Sequence, residues 1–270
     1  MSNDNHPSPL RYPGGKSFLT DFLSETTTLN RLEGGLYVEP FAGGAGAALR
    51  LLFSEHVGQI HLNDIDPRIF SFWKSVLDDS EAFVRLIEKT PLTVDAWRIQ
   101  KEILQNQKGK SRLEIGFATF YLNRTNRSGV LNAGPIGGVN QDGNYLIDAR
   151  FNRKELCKKV EKIALYRERI SVSKRDAVDL LEEAVAGKKW PLKQTLVYLD
   201  PPYHEKGKLL YSKYFRDEQH ARLATFLNAC SAFRWVISYD DASLIHTLYE
   251  GKKNLFLMSY SVHRIKVGRE

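Results

Sequence analysis

The sequence predicts an α/β chain built on a doubly wound, largely parallel sheet, and three observations carry that prediction. Short apolar runs alternate with helical stretches along most of the 270 residues. A few residues after the first of these runs comes a glycine-rich turn, Gly43-Gly44-Ala45-Gly46, that opens a helix. Two other runs end in acidic motifs, Asn63-Asp64-Ile65-Asp66 and Asp200-Pro201-Pro202-Tyr203, and open α/β sheets gather ligands at the carboxyl ends of their strands. At about 150 residues per domain, the length suits one to two domains.

The elements follow in order. Residues 1–9 are polar and read as a loose leader without the apolar stretch of a signal peptide. Leu36-Tyr37-Val38 is a short buried strand, and the glycine-rich turn leads into a helix from Ala47 to Phe53. Gln59 to Leu62 is the second strand, and a helix follows from Pro67 to Leu77, with proline acceptable in the first turn. Residues 80–122 read as mostly helical, with several aromatic positions. From Asn123 to Asn144, five Asn and five Gly fall within 22 residues and no period survives. A loop of that length inside a domain is usually functional or disordered. A basic helix runs from Arg153 to about Arg169, then a strand at Ile170–Ser173 and a helix over 177–186. Leu196–Leu199 is the clearest buried strand, and it ends at Asp200. A helix from Asp217 to Ser231, a strand from Arg234 to Tyr239, a helix from Ala242 to Tyr249 and a strand from Leu255 to Tyr260 close the pattern.

Composition excludes several classes. With 42% hydrophobic and 26% charged residues the chain is not a mainly disordered one. No apolar run reaches the ~18 residues of a membrane span. Cys157 and Cys230 stand far apart, without the spacing of a zinc site or a disulfide scaffold, so a reduced, intracellular compartment and no metal are expected. The net charge of +7 is concentrated: Arg150 to Arg175 holds ten basic and three acidic residues, so the rest of the chain sums to zero. Such a segment is either a solvated helix face or an edge that meets phosphates.

Three strand ends carry residues suited to chemistry. Small residues after a strand let backbone approach a ligand, although the turn at Gly43–Gly46 could equally serve helix–strand packing, and it is neither GxGxxG nor a P-loop. An acid about 20 positions after such a turn can bind ribose hydroxyls; Asp64 or Asp66 could as readily cap a helix. In Asp200-Pro201-Pro202-Tyr203 the two prolines stiffen the strand exit. A carboxylate and a prolyl carbonyl side by side are two acceptors that can grip an NH2 group, and the tyrosine offers a flat face to a planar base.

Together these residues resemble the Dam-type, alpha-class adenine-specific DNA methyltransferases, which use S-adenosylmethionine. The N-terminal motif is matched by Arg11-Tyr12-Pro13-Gly14-Gly15-Lys16, the cofactor loop by Glu39 to Gly46, the ribose acid by Asp64, and the catalytic motif by Asp200 to Tyr203. The four stand in the family's order, and the likeness covers roughly residues 9–260.

The resemblance implies a Rossmann-like sheet of the class I methyltransferase type over 9–78 and 170–270, with an inserted, mostly helical and loop target-recognition domain over 79–169. It implies cofactor contacts from Tyr12, Lys16, Glu39, Phe41, Gly43, Gly46, Asp64, Ile65, Asp176 and Asp200, although Asp176 could as well cap the helix that follows it. It implies catalysis at Asp200, Pro201, Pro202 and Tyr203 on a flipped adenine, releasing S-adenosylhomocysteine, with no metal. In the insertion, Arg124, Asn126, Arg127 and Asn132 are the expected base readers, and Arg153, Lys154, Lys158 and Lys159 the expected phosphate contacts. The expected partner is double-stranded DNA, met by a monomer in the cytoplasm at the nucleoid and not by a membrane protein; a separately encoded restriction endonuclease belongs to one setting the resemblance allows.

Two rival functions stand beside this one: a methyltransferase of RNA or protein amide nitrogen, whose relatives more often carry Asn where this chain has Asp200, and a DNA-binding relative without catalysis. One departure is also plain. Ser261 to Glu270 is short for the turn and returning strand that close the family's sheet, which implies an abbreviated or truncated last strand.

Overall fold

A computed structural model describes residues 6–11, 19–187, 189–204 and 215–251. Tyr12, Lys16, the strand expected at Leu255–Tyr260 and the segment from Ser261 to Glu270 lie outside the described residues.

Five strands form one sheet: β1 (Leu36–Glu39), β2 (Gln59–Asn63), β3 (Ile170–Ser173), β4 (Thr195–Leu199) and β5 (Arg234–Ile237). Their order is β3-β2-β1-β4-β5, with every neighbouring pair parallel. β1 and β4 are buried along their whole length, which is why they read as unbroken apolar runs and not as alternating ones. The chain grows outward from β1 in one direction and from β4 in the other, so the crevice between their carboxyl ends is the topological switch point.

Helices cover both faces. On one side α2 (Gly46–Phe53) and α3 (Pro67–Asp78) share a core with β1 and β2. On the other, α8 (Ala177–Gly187), α9 (Asp217–Ala229) and α10 (Ser243–Leu248) bury Val178, Leu181, Leu223, Leu227 and Ile245 against Val38, Val197 and Leu199. The stretch expected to be mostly helical resolves into α4 (Ser80–Lys89), α5 (Val94–Gln105) and α6 (Arg112–Thr125). Its aromatic residues are core: Phe72 of α3 stacks on Phe120 of α6 at 6.2 Å, and Phe83, Phe117 and Phe151 close around them. Gly116 permits that approach, because a Cβ there would sit 2.6 Å from the Ser71 carbonyl oxygen.

The structure differs from the sequence pattern in four places. Leu19–Leu29 is a helix, α1, that the pattern does not announce; its threonine-rich end has poor helix propensity, but Leu19 and Leu23 are buried and the Thr26 and Thr27 hydroxyls bond back to the Phe22 and Leu23 carbonyls. The basic helix, α7 (Arg153–Leu165), ends four residues early and gives way to a 3-10 turn at Arg167–Arg169. β5 ends at Ile237, short of Tyr239. The Asn/Gly segment begins only after Thr125 and is ordered: the Gln141 amide donates to the Ile136 and Gly138 carbonyls and accepts from Ile147 N–H, filling the loop from inside. Among the described residues no helix is long and apolar enough to cross a membrane.

Candidate functional site

The exits of β1, β2, β3 and β4 open into one cavity of about 770 Å³, within the ~300–1,000 Å³ range of small-molecule sites. Asn63 draws three of those exits together. It is buried, its amide donates to the Pro40 and Arg175 carbonyls at 2.9 and 3.0 Å, and its oxygen accepts from Ser173 Oγ and Arg175 N–H. β1, β2 and β3 are therefore pinned to one another at the cavity floor.

The glycine-rich turn is fixed by donors from both sides. Ala42 N–H reaches the Asn63 carbonyl, and Trp73 Nε1 donates to the Gly43 carbonyl at 2.9 Å. Ala45, with φ of 46°, takes the left-handed conformation just before α2 and leaves that helix without a side-chain cap. Gly43 N–H donates to Asp64 Oδ2 at 3.0 Å, and Asp66 N–H donates to Asp64 Oδ1 at 2.9 Å. Burial pushes the Asp64 carboxyl up to about 6, against those two bonds. The two acids, equivalent as candidate helix caps in the sequence, now separate. Asp66 caps α3 through Arg68 N–H and pairs with the Arg68 guanidinium at 2.6 Å, while Asp64 holds the turn. Ile65, between them, is 48% exposed in the cavity wall.

Glu39 is buried at the end of β1 and lines the same cavity. It accepts from Tyr37 OH and Ala48 N–H, both at 3.1 Å, and burial pushes it up to about 8. Phe41 meets the ring of Phe215 edge-on at 5.8 Å in the wall. Asp176 caps α8 through Val178 N–H, pairs with Arg222 at 3.2 Å and also lines the cavity.

At the exit of β4, Asp200 and Pro202 form the wall, Pro201 is buried and Tyr203 is half-buried. Ser238 Oγ donates to Asp200 Oδ1 at 2.8 Å, and the next residues of the turn reach Asp240 through His204 N–H at 3.0 Å. Sequence reasoning missed Ser238, Asp240 and Trp73, and gave Asn63 no role of its own. In the fold the β4–β5 register, Leu199 opposite Ile237, places Ser238 beside Asp200.

Of the expected DNA contacts, Arg124, Asn132 and Lys159 line the cavity and the others lie apart from it. Asn126 is fully buried and its amide is engaged: it accepts from Trp97 Nε1 at 2.6 Å and donates to the Val130 and Leu131 carbonyls, so it cannot read a base edge in this arrangement. Arg153 is likewise committed, donating to the carbonyls of Ile87 and, at 2.6 Å, Thr90 at the end of α4, where a cation suits the helix dipole. Lys159 lies in the cavity wall. Arg127, Asn132, Lys154 and Lys158 are exposed.

Arg124 also turns into the cavity wall, not outward. Its Nε is buried and has no hydrogen-bond partner among the described residues, and burial, with Arg11 and Arg150 nearby, lowers the guanidinium to about 10. Arg11 is docked there by Asn123, whose oxygen accepts Arg11 N–H and whose amide donates to the Arg11 and Gly129 carbonyls. Gly129, at φ 73°, is needed for that docking, since a Cβ would lie 2.6 Å from the Arg11 oxygen.

Among the described residues no group of three or more His, Cys, Asp or Glu is placed to hold a metal ion. Compared with known families, the chain matches the model described as D12 class N6 adenine-specific DNA methyltransferase over residues 12–267. A comparison with curated proteins finds no match.

Proposed function

The chain belongs to the D12 class N6 adenine-specific DNA methyltransferase family, and from that premise we infer that the switch-point cavity is the methyl-transfer site, with Asp200 as the acceptor for the adenine amino group. The chain is thus an enzyme that methylates adenine in DNA, which removes the RNA, protein-amide and non-catalytic readings. The observation that carries the site assignment is that Asp200 and Pro202 share one cavity with the Gly43–Gly46 turn and Asp64.

Those residues suit S-adenosylmethionine. Asp64 is a carboxylate fixed by two backbone donors, Ile65 is an apolar side chain kept open beside it, and the tight turn lets backbone close on a ligand. Asp64 and Asp176 would hold the adenosine end, and Phe41 with the glycine turn the methionine end. When bound, that cofactor supplies a methyl group activated on a sulfonium.

The protein's own part is positional and electrostatic. The adenine amino nitrogen is a poor nucleophile because its lone pair is conjugated with the ring. Asp200 and the Pro201 carbonyl accept its two hydrogens, which draws the nitrogen out of that conjugation. Tyr203 stacks on the base, which must first leave the duplex. Arg124 fits a phosphate beside the flipped nucleotide better than a base edge. A buried cation among cations is costly until an anion arrives, and Arg11 and Arg150 are its charged neighbours. The fold of the recognition segment and the use of duplex DNA by a single chain belong to the same proposal.

The test is transfer of a labelled methyl group from S-adenosylmethionine to duplex DNA. Asp200→Ala should abolish it, and Tyr203→Ala should lower it ~10- to 100-fold, the equivalent of ~1–3 kcal/mol for the missing stack. Near-normal turnover in Asp200→Ala would remove the site assignment.

A further inference from the structure

We propose that Ser238, Tyr239 and Asp240, the three residues that leave β5, form the element that positions the catalytic turn, and that Ser238 sets the orientation of Asp200. The proposal rests on the assignment of Asp200 as the amino-group acceptor.

Strand register brings the two residues together. Leu199 lies opposite Ile237, and Ser238 N–H donates to the Leu199 carbonyl at 2.9 Å, carrying the ladder one residue past β5. Ser238 therefore stands beside Asp200, and its hydroxyl donates to Asp200 Oδ1 at 2.8 Å. A serine hydroxyl has one hydrogen. Because Asp200 takes it, Tyr198 OH, 2.9 Å from Ser238 Oγ, must be the donor of that second bond. Burial, reinforced by the charge of Asp200, pushes the Tyr198 phenol far above its ordinary value, so its hydrogen stays in place. The proton order is thus fixed as Tyr198 to Ser238 to Asp200.

The next two residues extend the hold. Tyr239 OH pairs with Nδ1 of His220 at 2.9 Å. His220 is fully buried and packs edge-on, at 4.7 Å, against Phe215 of the cavity wall. Asp240 Oδ1 accepts the N–H of His204, the residue after Tyr203, at 3.0 Å. Ser238 and Asp240 therefore hold the two ends of the turn from Asp200 to His204, and Tyr239 holds the wall that faces it. A carboxylate with one oxygen held by a hydrogen bond is restricted in its rotation about the Cβ–Cγ bond. That restriction counts in catalysis, where misplacement by about 1 Å can cost ~100-fold.

The experiment compares kcat and KM for Ser238→Ala, Ser238→Thr, Tyr198→Phe and the Ser238→Ala/Tyr198→Phe pair, with Asp200→Ala alongside. Ser238→Ala should lower kcat ~10- to 100-fold, as for removal of a bond to a charged group. KM for cofactor and for DNA should stay within about 3-fold, because the bond orients the reacting group and binds neither ligand. Ser238→Thr, which keeps the hydroxyl, should recover most of the rate. Tyr198→Phe should cost less, and it should add nothing on top of Ser238→Ala, because it acts through that hydroxyl. Wild-type kcat in Ser238→Ala, or additive effects in the pair, would overturn the proposal. If Ser238→Ala does not fold, Tyr198→Phe alone decides: unchanged kcat refutes the relay, and lowered kcat at constant KM supports it. Activity in Asp200→Ala would instead show that the site assignment had failed.

Discussion

Glu39 and Asp64 are both carboxylates at strand exits, and burial raises both, to about 8 and about 6. For Glu39 the sign of the linkage is definite. Its folded value lies above the ordinary 4.5, so between those limits the folded chain holds more proton than the unfolded one, and stability falls as pH rises from ~4.5 toward 8. Glu39→Gln keeps an acceptor for Tyr37 OH and Ala48 N–H but cannot ionise. Urea unfolding should find the two proteins comparable near pH 5 and the variant the more stable at pH 8; an equal pH slope in both would contradict a buried, neutral Glu39. At Asp64 and Asp66 the geometry predicts a separation of readouts. Asp64→Ala should weaken S-adenosylmethionine binding by ~1.5–3 kcal/mol, the loss expected for hydrogen bonds to a charged group. Asp66→Ala removes the cap of α3 and should lower stability by ~1 kcal/mol with little change in affinity. Calorimetry and thermal melting on both variants check this, and equal losses of affinity would mean that the ribose acid is not Asp64 alone.

At the level of elements, the strand exits depend on Asn63 more than on any single apolar contact. Its side chain makes four hydrogen bonds that join β1, β2 and the segment after β3. Asn63→Ala would strand several buried polar groups and should cost at least ~3 kcal/mol in urea unfolding; a loss under ~1 kcal/mol would show that the exits are held by the sheet alone. The sequence made the sheet legible for a simple reason. β1 and β4 are buried on both faces, so their apolar runs are unbroken, and each ends in a motif whose residue types belong at a ligand. It could not make α1 legible, because a threonine-rich helix is held by tertiary burial and by hydroxyl bonds along its own backbone. Nor could it foretell Asn126 and Arg153. An Asn or Arg in a basic, loop-rich segment reads as available, yet their partners, Trp97 and the end of α4, are distant in sequence and meet them only in the fold. Ser238 escaped for the complementary reason: serine at a strand end carries no signal until the neighbouring strand supplies Asp200.

On the scale of the whole molecule, the charge surplus is narrower than the sequence suggests. The net +7 falls within Arg150 to Arg175, but the fold already occupies much of that segment. Arg153 is tied to α4, Arg169 to Glu55 and the Val57 and Gly58 carbonyls, and Arg175 to Glu183. Lys159 lines the cavity. Arg150, Lys154, Lys158, Arg167 and Lys174 remain exposed, although Lys158 lies 3.7 Å from Glu155 and Arg167 Nε donates to the Ala164 carbonyl. Counterion release depends on cations that can reach phosphates, not on the formal total. Arg150→Ala and Lys154→Ala should therefore weaken binding to all DNA alike and flatten the dependence of log affinity on log salt by ~1 unit for each phosphate no longer neutralised. Arg153→Ala should leave that slope unchanged and lower stability instead, since it frees two carbonyls at a helix end. Arg127→Ala, in the exposed loop after α6, should change which sites are methylated if that loop reads the target, with discrimination falling by ~1–3 kcal/mol for a lost bidentate pair with a base. Salt titrations of binding for the four variants, paired with sequencing of methylated sites, separate these effects. A folded Arg153→Ala variant whose slope drops as far as that of Lys154→Ala would mean that Arg153 leaves α4 to meet the backbone of DNA, and that the charge of the segment acts as one surface after all.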